Sequence, residues 1–190
     1  MQSKSILFVA FLACGSAAHA TDTGLMMCNL SRSNVGVDAA LQEATQLNGL
    51  VERVPPEEAR YLSQEYKVAT QARNAARLQM LYRRPYYPAW ELRGQLQKLI
   101  EQLQDIEHVE AMTKIGTPAE RAAQQVSDAA FAIVSADGAY RDFSDYVRYD
   151  QSRSPPVLSK AQIDEHNFNL GILGTNLAVY VSCIANSLHN

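Results

Sequence analysis

Two cysteines, a few histidines and a knot of tyrosines and arginines are the residues of this 190-residue chain whose types could do chemistry. Cys28 and Cys183 come first. Cys14, the third cysteine, falls within an N-terminal leader, so processing leaves an even pair, which in an oxidising compartment reads as a disulfide. Closing a loop of about 155 residues is worth roughly 5 kcal/mol by the loop-entropy relation. No Cys-x-x-Cys is present, so neither thiol belongs to a dithiol redox site.

The histidines could ligate a metal or haem, but their spacing gives that chemistry little to work with. Covalent haem needs Cys-x-x-Cys-His, and a carboxylate-bridged metal pair needs two Glu-x-x-His pairs on facing helices. Asp105-x-x-His108 is the nearest approach, on the outer side of an apolar seam. His166 lies one turn before Leu170 and can face inward. With Met26, Met27, Met80 or Met112 it would make a His/Met haem pair, whereas a histidine satisfied by a local partner is the simpler reading. His189 is expected in solvent. No metal or cofactor is therefore expected, and His166 is the single weak ligand candidate. G-x-S-x-G, H-E-x-x-H, P-loop and dinucleotide glycine motifs are all missing. An enzyme built on scattered groups such as Glu65 or Tyr66 is the least supported reading.

Recognition has more material. Tyr82, Arg83, Arg84, Tyr86, Tyr87 and Trp90, with Pro85 and Pro88, fill one proline-stiffened connection, and Trp90 is the only tryptophan. Tyr, Trp and Arg dominate interface hot spots because they join large area to hydrogen bonding. These six are the candidate partner-binding residues, set against the plainer reading that Trp90 and a tyrosine plug the end of a helical core. A second stretch, Tyr140 to Tyr149, alternates aromatic and charged groups. Tyr140, Phe143 and Val147 are expected in the core, and Tyr146 and Tyr149 at its rim.

The elements that must position these groups follow a leader. Lys4, the apolar run Ile6–Ala13 and Ala18-His19-Ala20 have the layout of a cleaved secretory signal peptide over residues 1–20, which implies a periplasmic or secreted protein. A lipid anchor on Cys14 is the lesser alternative, because Phe11 and Leu12 fit a lipobox poorly. The formal charge is −3, and only Lys4 of the charged residues lies in the leader, so a nucleic-acid partner is not expected.

Residues 21–190 read as one helical domain. Val35–Arg53 carries Val37, Leu41, Ala44, Leu47, Val51 and Val54 on one face, with Ser33 or Asn34 as N-cap, and Pro55-Pro56 ends it. A second helix to about Arg83 has Ala59, Leu62, Tyr66, Ala69, Ala72, Ala76 and Met80 on its inner face. A third, from about Pro88 to a stop at Gly116, carries the heptad seam Leu92, Leu96, Leu99, Leu103, Ile106. Thr117-Pro118-Ala119-Glu120 opens a fourth with a capping box. Its apolar face is Ala122, Val126, Ala129, Ile133, Tyr140, Phe143 and Val147, and Asp137-Gly138 marks a kink or a turn. After Ser154-Pro155-Pro156, the capping box Ser159-x-x-Gln162 opens the last helix, which has no charged residue beyond Glu165.

That last helix is long enough to cross a membrane, but its asparagines and lack of flanking positive charge favour a central helix buried nearly all round. The fold class expected is all-α: an up-and-down helical bundle of four long helices plus a shorter N-terminal helix. One conflict follows. Five strictly alternating helices would put Cys28 and Cys183 at opposite ends, too far apart to bond unless Asp137-Gly138 is a true turn, giving six helices, the first helix lies across the bundle, or an extended Asn29–Asn34 arm spans the gap. The function expected is that of an exported, non-enzymatic protein acting through protein–protein interaction, as an envelope accessory or an immunity-type inhibitor. Its partner would be another exported or envelope protein. The alternative is a periplasmic bundle that binds haem, metal or a small apolar ligand.

Overall fold

The structure, a computed structural model, describes Cys28 and residues 36–111 and 118–188. Residues 1–20, Cys14, the caps expected at Ser33 or Asn34 and at Thr117, the stop at Gly116, and Met26, Met27, Met112 and His189 lie outside the described residues. The fold is all-helical, with six helices and no strand among the described residues. They are α1 (Val37–Leu50), α2 (Pro56–Gln71), α3 (Ala75–Tyr82), α4 (Tyr87–Ala111), α5 (Pro118–Gln151) and α6 (Lys160–Leu188).

The sixth helix arises from a break that the apolar pattern does not announce. The expected second helix stops at Gln71, and α3 starts four residues later. Arg73 takes a left-handed conformation (φ 49°), with its N–H on the Thr70 carbonyl (3.0 Å) and the Asn74 N–H on the Ala69 carbonyl (2.8 Å). This paired closure is a Schellman cap. Asn74 then caps the next helix, its Oδ1 accepting the Arg77 N–H at 3.0 Å. Because the chain reverses here, Ala72, Ala76 and Met80 are exposed rather than on an inner face, while Leu62 and Ala69 stay buried.

Asp137-Gly138 is not a turn, since α5 runs through it unbroken. Gly138 serves close packing: a Cβ there would stand 3.0 Å from the side chain of Gln95 on α4. Facing residues give the helix directions. Gly138 meets Gln95, while Glu91 and Asp105 of α4 lie in charge range of Asp142 and Asp128 of α5, and Gly171 and Gly174 of α6 meet Tyr140 and Asp137, so α5 runs antiparallel to α4 and to α6. Arg93, early in α4, donates to the carbonyls of Asn48 (2.9 Å) and Val51 (3.0 Å) at the end of α1, so that pair is antiparallel too. There it also places positive charge at the helix C-terminus, where the macrodipole favours it.

The main core draws on α1, α4, α5 and α6. The whole α4 seam of Leu92, Leu96, Leu99, Leu103 and Ile106 is buried, facing Ala40, Ala44 and Leu47 of α1 and Ala129, Ala132, Ala136 and Phe143 of α5. Each such aliphatic side chain contributes about 1.5–3 kcal/mol by leaving water. The α2–α3 hairpin has its own small core of Leu62, Leu81 and Tyr87.

Three expected burials are corrected. Tyr140 is exposed, because it sits on the α5 flank at the α6 edge. Tyr146 is fully buried, not at the rim, since its hydroxyl accepts the Glu52 N–H at 3.0 Å just past α1. And α6 is not buried all round: in its most apolar 18-residue window only 28% is buried, because α1 and α5 cover one side only. Its Lys160–Asn186 stretch, with an 18-residue window of mean hydropathy 1.5, is long and apolar enough to cross a membrane on length and composition. The Ser159–Gln162 capping box forms as expected, with Gln162 Oε1 accepting the Ser159 N–H at 2.9 Å.

Six helices bring the cysteines together. Cys28 and Cys183 are paired, Cα atoms 5.6 Å apart. The turn that permits this lies at Ala72–Asn74, not at Asp137-Gly138. Since a left-handed residue with a Cβ is strained where glycine is not, Arg73→Gly is expected to raise the unfolding free energy by about 0.5–1 kcal/mol in chemical denaturation. A loss of stability would show that the Arg73 side chain contributes more than its backbone costs.

Candidate functional site

The α2–α3 hairpin is built on two ion pairs mirrored about its turn. Arg77 Nη2 and Nε bond Glu65 at 2.5 and 2.6 Å, and Arg84 grips Glu58 with two bonds of 2.8 and 2.6 Å. The partners are 12 and 26 residues apart, both pairs centred on Gln71, which is the register of two antiparallel helices. The Arg84 guanidinium lies 4.9 Å from the centre of the Tyr61 ring. Hydrogen bonding to Arg84 holds the Glu58 carboxyl below its usual pKa and raises that of Arg84.

The six candidate partner-binding residues divide between core and surface. Tyr87 is buried, its hydroxyl donating to Glu91 Oε1 at 2.8 Å, and burial followed by that bond pushes its pKa far up. Trp90 and Tyr86 are half-buried against the hairpin core. The indole N–H of Trp90 points to Ser63 Oγ at 3.3 Å, and its ring stands 5.5 Å from Tyr66 and 5.6 Å from Tyr87. Tyr87 and Trp90 thus plug the hairpin onto α4. Tyr82, Arg83 and Arg84 are outside, Tyr82 50% exposed and packed edge-on to Tyr87 at 4.9 Å.

Composition alone did not mark the residues that complete this surface. Tyr61 (44% exposed) and Met80 (70% exposed) join Arg84 and Arg77 around a groove of about 420 Å³ between α2 and α3. The legible signal was the charge spacing, two acids and two arginines each seven apart and mirrored across Ala72–Asn74. Arg84 and Arg77 are held by acids, so the aromatic surface sits on fixed, oriented groups rather than on free side chains.

His166 does face inward and is buried, but it is engaged. Its Nδ1 lies 2.5 Å from Glu43 Oε1, and Glu43 Oε2 accepts from Asn169 Nδ2 at 2.8 Å. Phe143 stands edge-on to the imidazole at 6.2 Å. His108 is exposed on α4. No group of three or more His, Cys, Asp or Glu with metal-binding geometry occurs among the described residues.

Two further polar centres tie the helices together. Glu52 Oε2 accepts from Tyr149 (3.0 Å) and Arg153 (2.6 Å), and burial with that carboxylate pushes the Tyr149 hydroxyl up to about 12. Asp150, fully buried, accepts the N–H groups of Val157 (3.0 Å) and Leu158 (2.9 Å), and so closes the α5–α6 connection, in which Ser154–Pro155 is cis.

Between α4 and α5 the acids are less well served. Asp142 is buried, with Oδ1 3.0 Å from the mostly exposed Arg141 and Oδ2 without a hydrogen-bond partner among the described residues. Burial raises its pKa against the pull of Arg141. Burial also raises Glu91, with the Tyr87 hydroxyl opposing and the Asp142 charge adding to the rise. Asp128, bonded to Gln124 at 2.7 Å, is raised by burial as well and has the same unpartnered Oδ2. Raised carboxyls in a cleft mark candidate acids. Here, though, they sit in a packing seam and do not line the α2–α3 groove.

No protein-family model, curated protein or solved structure matches this chain.

The seam has a consequence for pH. Carboxyls whose folded pKa exceeds the unfolded value of about 4 stabilise fully below that value and lose the contribution as pH rises through the folded one. Asp142, Glu91 and Asp128 therefore favour the folded state most below about pH 4 and contribute less as the pH rises above it. Asp142→Asn is expected to gain about 1 kcal/mol at pH 7 and to flatten the fall of stability above about pH 4, measured by denaturant unfolding from pH 4 to 7. A destabilised variant with an unchanged pH slope would show that the Arg141 contact outweighs the burial.

Proposed function

We propose that this chain is an exported, non-enzymatic up-and-down helical bundle that works by binding another exported or envelope protein through its α2–α3 hairpin. In this reading α1, α4, α5 and α6 form the bundle. The hairpin is an appendage between α1 and α4, carried at the end where Arg93 caps α1. The leader at residues 1–20 and the Cys28–Cys183 pair support export, since structural disulfides persist in oxidising compartments.

The observation that carries the binding reading is the exposed groove of Tyr61 and Met80, braced by the Arg84–Glu58 and Arg77–Glu65 pairs, with the half-exposed Tyr82 beside Tyr87 as a second contact on the same hairpin. Large aromatic groups beside arginine lose little freedom on docking when they are already fixed, and such pre-organised anchors dominate binding energy.

The test is cross-linking and mass spectrometry of the protein in its own envelope fraction, comparing the native chain with a Tyr61→Ala, Met80→Ala, Tyr82→Ala variant. These side chains are about half exposed or more, so the variant should fold with a melting temperature lowered by only a few degrees, for the loss of the Tyr82–Tyr87 and Arg84–Tyr61 contacts. It is expected to lose the cross-linked partner that the native chain retains. An equal yield from both proteins, or no partner for either, would overturn the reading.

A further inference from the structure

A second groove, of about 540 Å³, opens where the end of α1, the start of α2 and the first turns of α4 meet. It shares no residue with the groove of Tyr61 and Met80. Val54, Ala59 and the half-buried Trp90 give it an apolar wall, and Arg53 and Arg93 give it charge. No Asp or Glu lines it, in a chain whose formal charge is −3. Its volume lies within the roughly 300–1,000 Å³ of small-molecule sites.

The two arginines are unlike those of the hairpin. Arg77 and Arg84 are neutralised by Glu65 and Glu58, whereas Arg53 and Arg93 have no carboxylate partner among the described residues. The acids close to them are engaged elsewhere. Glu52 is taken by Tyr149 and Arg153, and Glu101 accepts from Gln97 Nε2 at 3.0 Å. Arg93 is also half-buried and fixed in place, because its Nη1 donates to the carbonyls of Asn48 and Val51. That leaves the other edge of the guanidinium, Nε with Nη2, whose parallel N–H groups match the two oxygens of a carboxylate. No hydrogen bond among the described residues uses this edge of Arg93. Arg84 shows what the same edge does, its Nε and Nη2 holding Glu58 at 2.8 and 2.6 Å.

We propose that this groove binds an organic acid with an apolar body. The carboxylate docks on the Nε–Nη2 edge of Arg93, Arg53 adds a second positive charge, and the apolar body lies against Trp90, Val54 and Ala59. The carbonyls of α1 already orient the Arg93 guanidinium, so little freedom is lost when the acid binds. A free small acid and the C-terminal carboxylate of a polypeptide ending in an apolar residue present the same chemistry. If Arg93 did no more than cap α1, the groove would not distinguish an acid from its amide.

Trp90 is the only tryptophan in the chain, so its fluorescence reports from the wall of the groove. The mature, oxidised protein is titrated at constant ionic strength with phenylacetate, with acetyl-alanyl-phenylalanine as a chain end, and with the uncharged phenylacetamide. A saturable change is expected with at least one acid, with a Kd on the order of 1 mM, and at least about tenfold weaker binding of the amide. Arg93→Lys keeps a positive charge at the end of α1 but has no fork, and should weaken binding by about tenfold. Arg53→Gln changes an exposed residue, so it should fold normally and weaken binding several-fold, which keeps the test open if Arg93→Lys is unstable. Tighter binding of phenylacetate assigns the site to a free acid, and tighter binding of the dipeptide assigns it to a chain end. No saturable response to either acid up to about 50 mM overturns the proposal. Equal binding of the amide, or a Kd unmoved in both variants, overturns it likewise.

Discussion

The bond between Cys28 and Cys183 constrains this fold more than any other contact, because it ties the segment before the first helix to the last turns of the sixth. Helices of 25 to 34 residues make rods about 37 to 50 Å long, so the two cysteines can meet only if the chain reverses direction the right number of times. The reversal at Ala72–Asn74 supplies the missing one. It returns the chain to the end of α1 it had just left, and α4 then starts where α1 stopped, with Arg93 joining the two. Glu43, bonded to His166 and Asn169, holds α1 and α6 together partway along the same contact.

Polar groups inside the fold serve that arrangement unequally. Glu52 and Asp150 each accept two hydrogen bonds and lock the end of α1 and the α5–α6 connection. Asp142, Glu91 and Asp128 lie in the α4–α5 seam with burial unfavourable to their charge. The seam remains closed because the leucine ladder of α4 contributes far more than these acids cost.

The sequence was most legible where one residue type does one job. The α4 heptad, the proline at the start of α2 and the Ser159–Gln162 box each depend on a short local pattern, and each stands where that pattern puts it. The hairpin was not legible from apolar spacing, because Ala72, Ala76 and Met80 continue the 3.6 period straight through the turn, and Arg73 rather than glycine takes the left-handed position. The mirrored Glu58, Glu65, Arg77 and Arg84 would have exposed it. Asp137-Gly138 misled in the opposite way: a pair typical of turns is used for a close approach to Gln95. Burial of α6 was overestimated since its sequence lacks charge on every side, which does not say which side has a neighbour. Of the aromatic–arginine stretch, composition picked out the six residues but not that Tyr87 and Trp90 fasten the hairpin while Tyr82 looks outward.

Whether the ends of this chain are truly joined is the most direct question to put to the account. Peptide mapping of the unreduced protein, with denaturant unfolding of the native chain and a Cys28→Ser, Cys183→Ser variant, answers it. A single cross-linked Cys28–Cys183 peptide is expected in every molecule, with a loss of about 2–5 kcal/mol in the variant. Free thiols in the purified protein, or cysteines paired between molecules, would contradict the topology on which the rest is built.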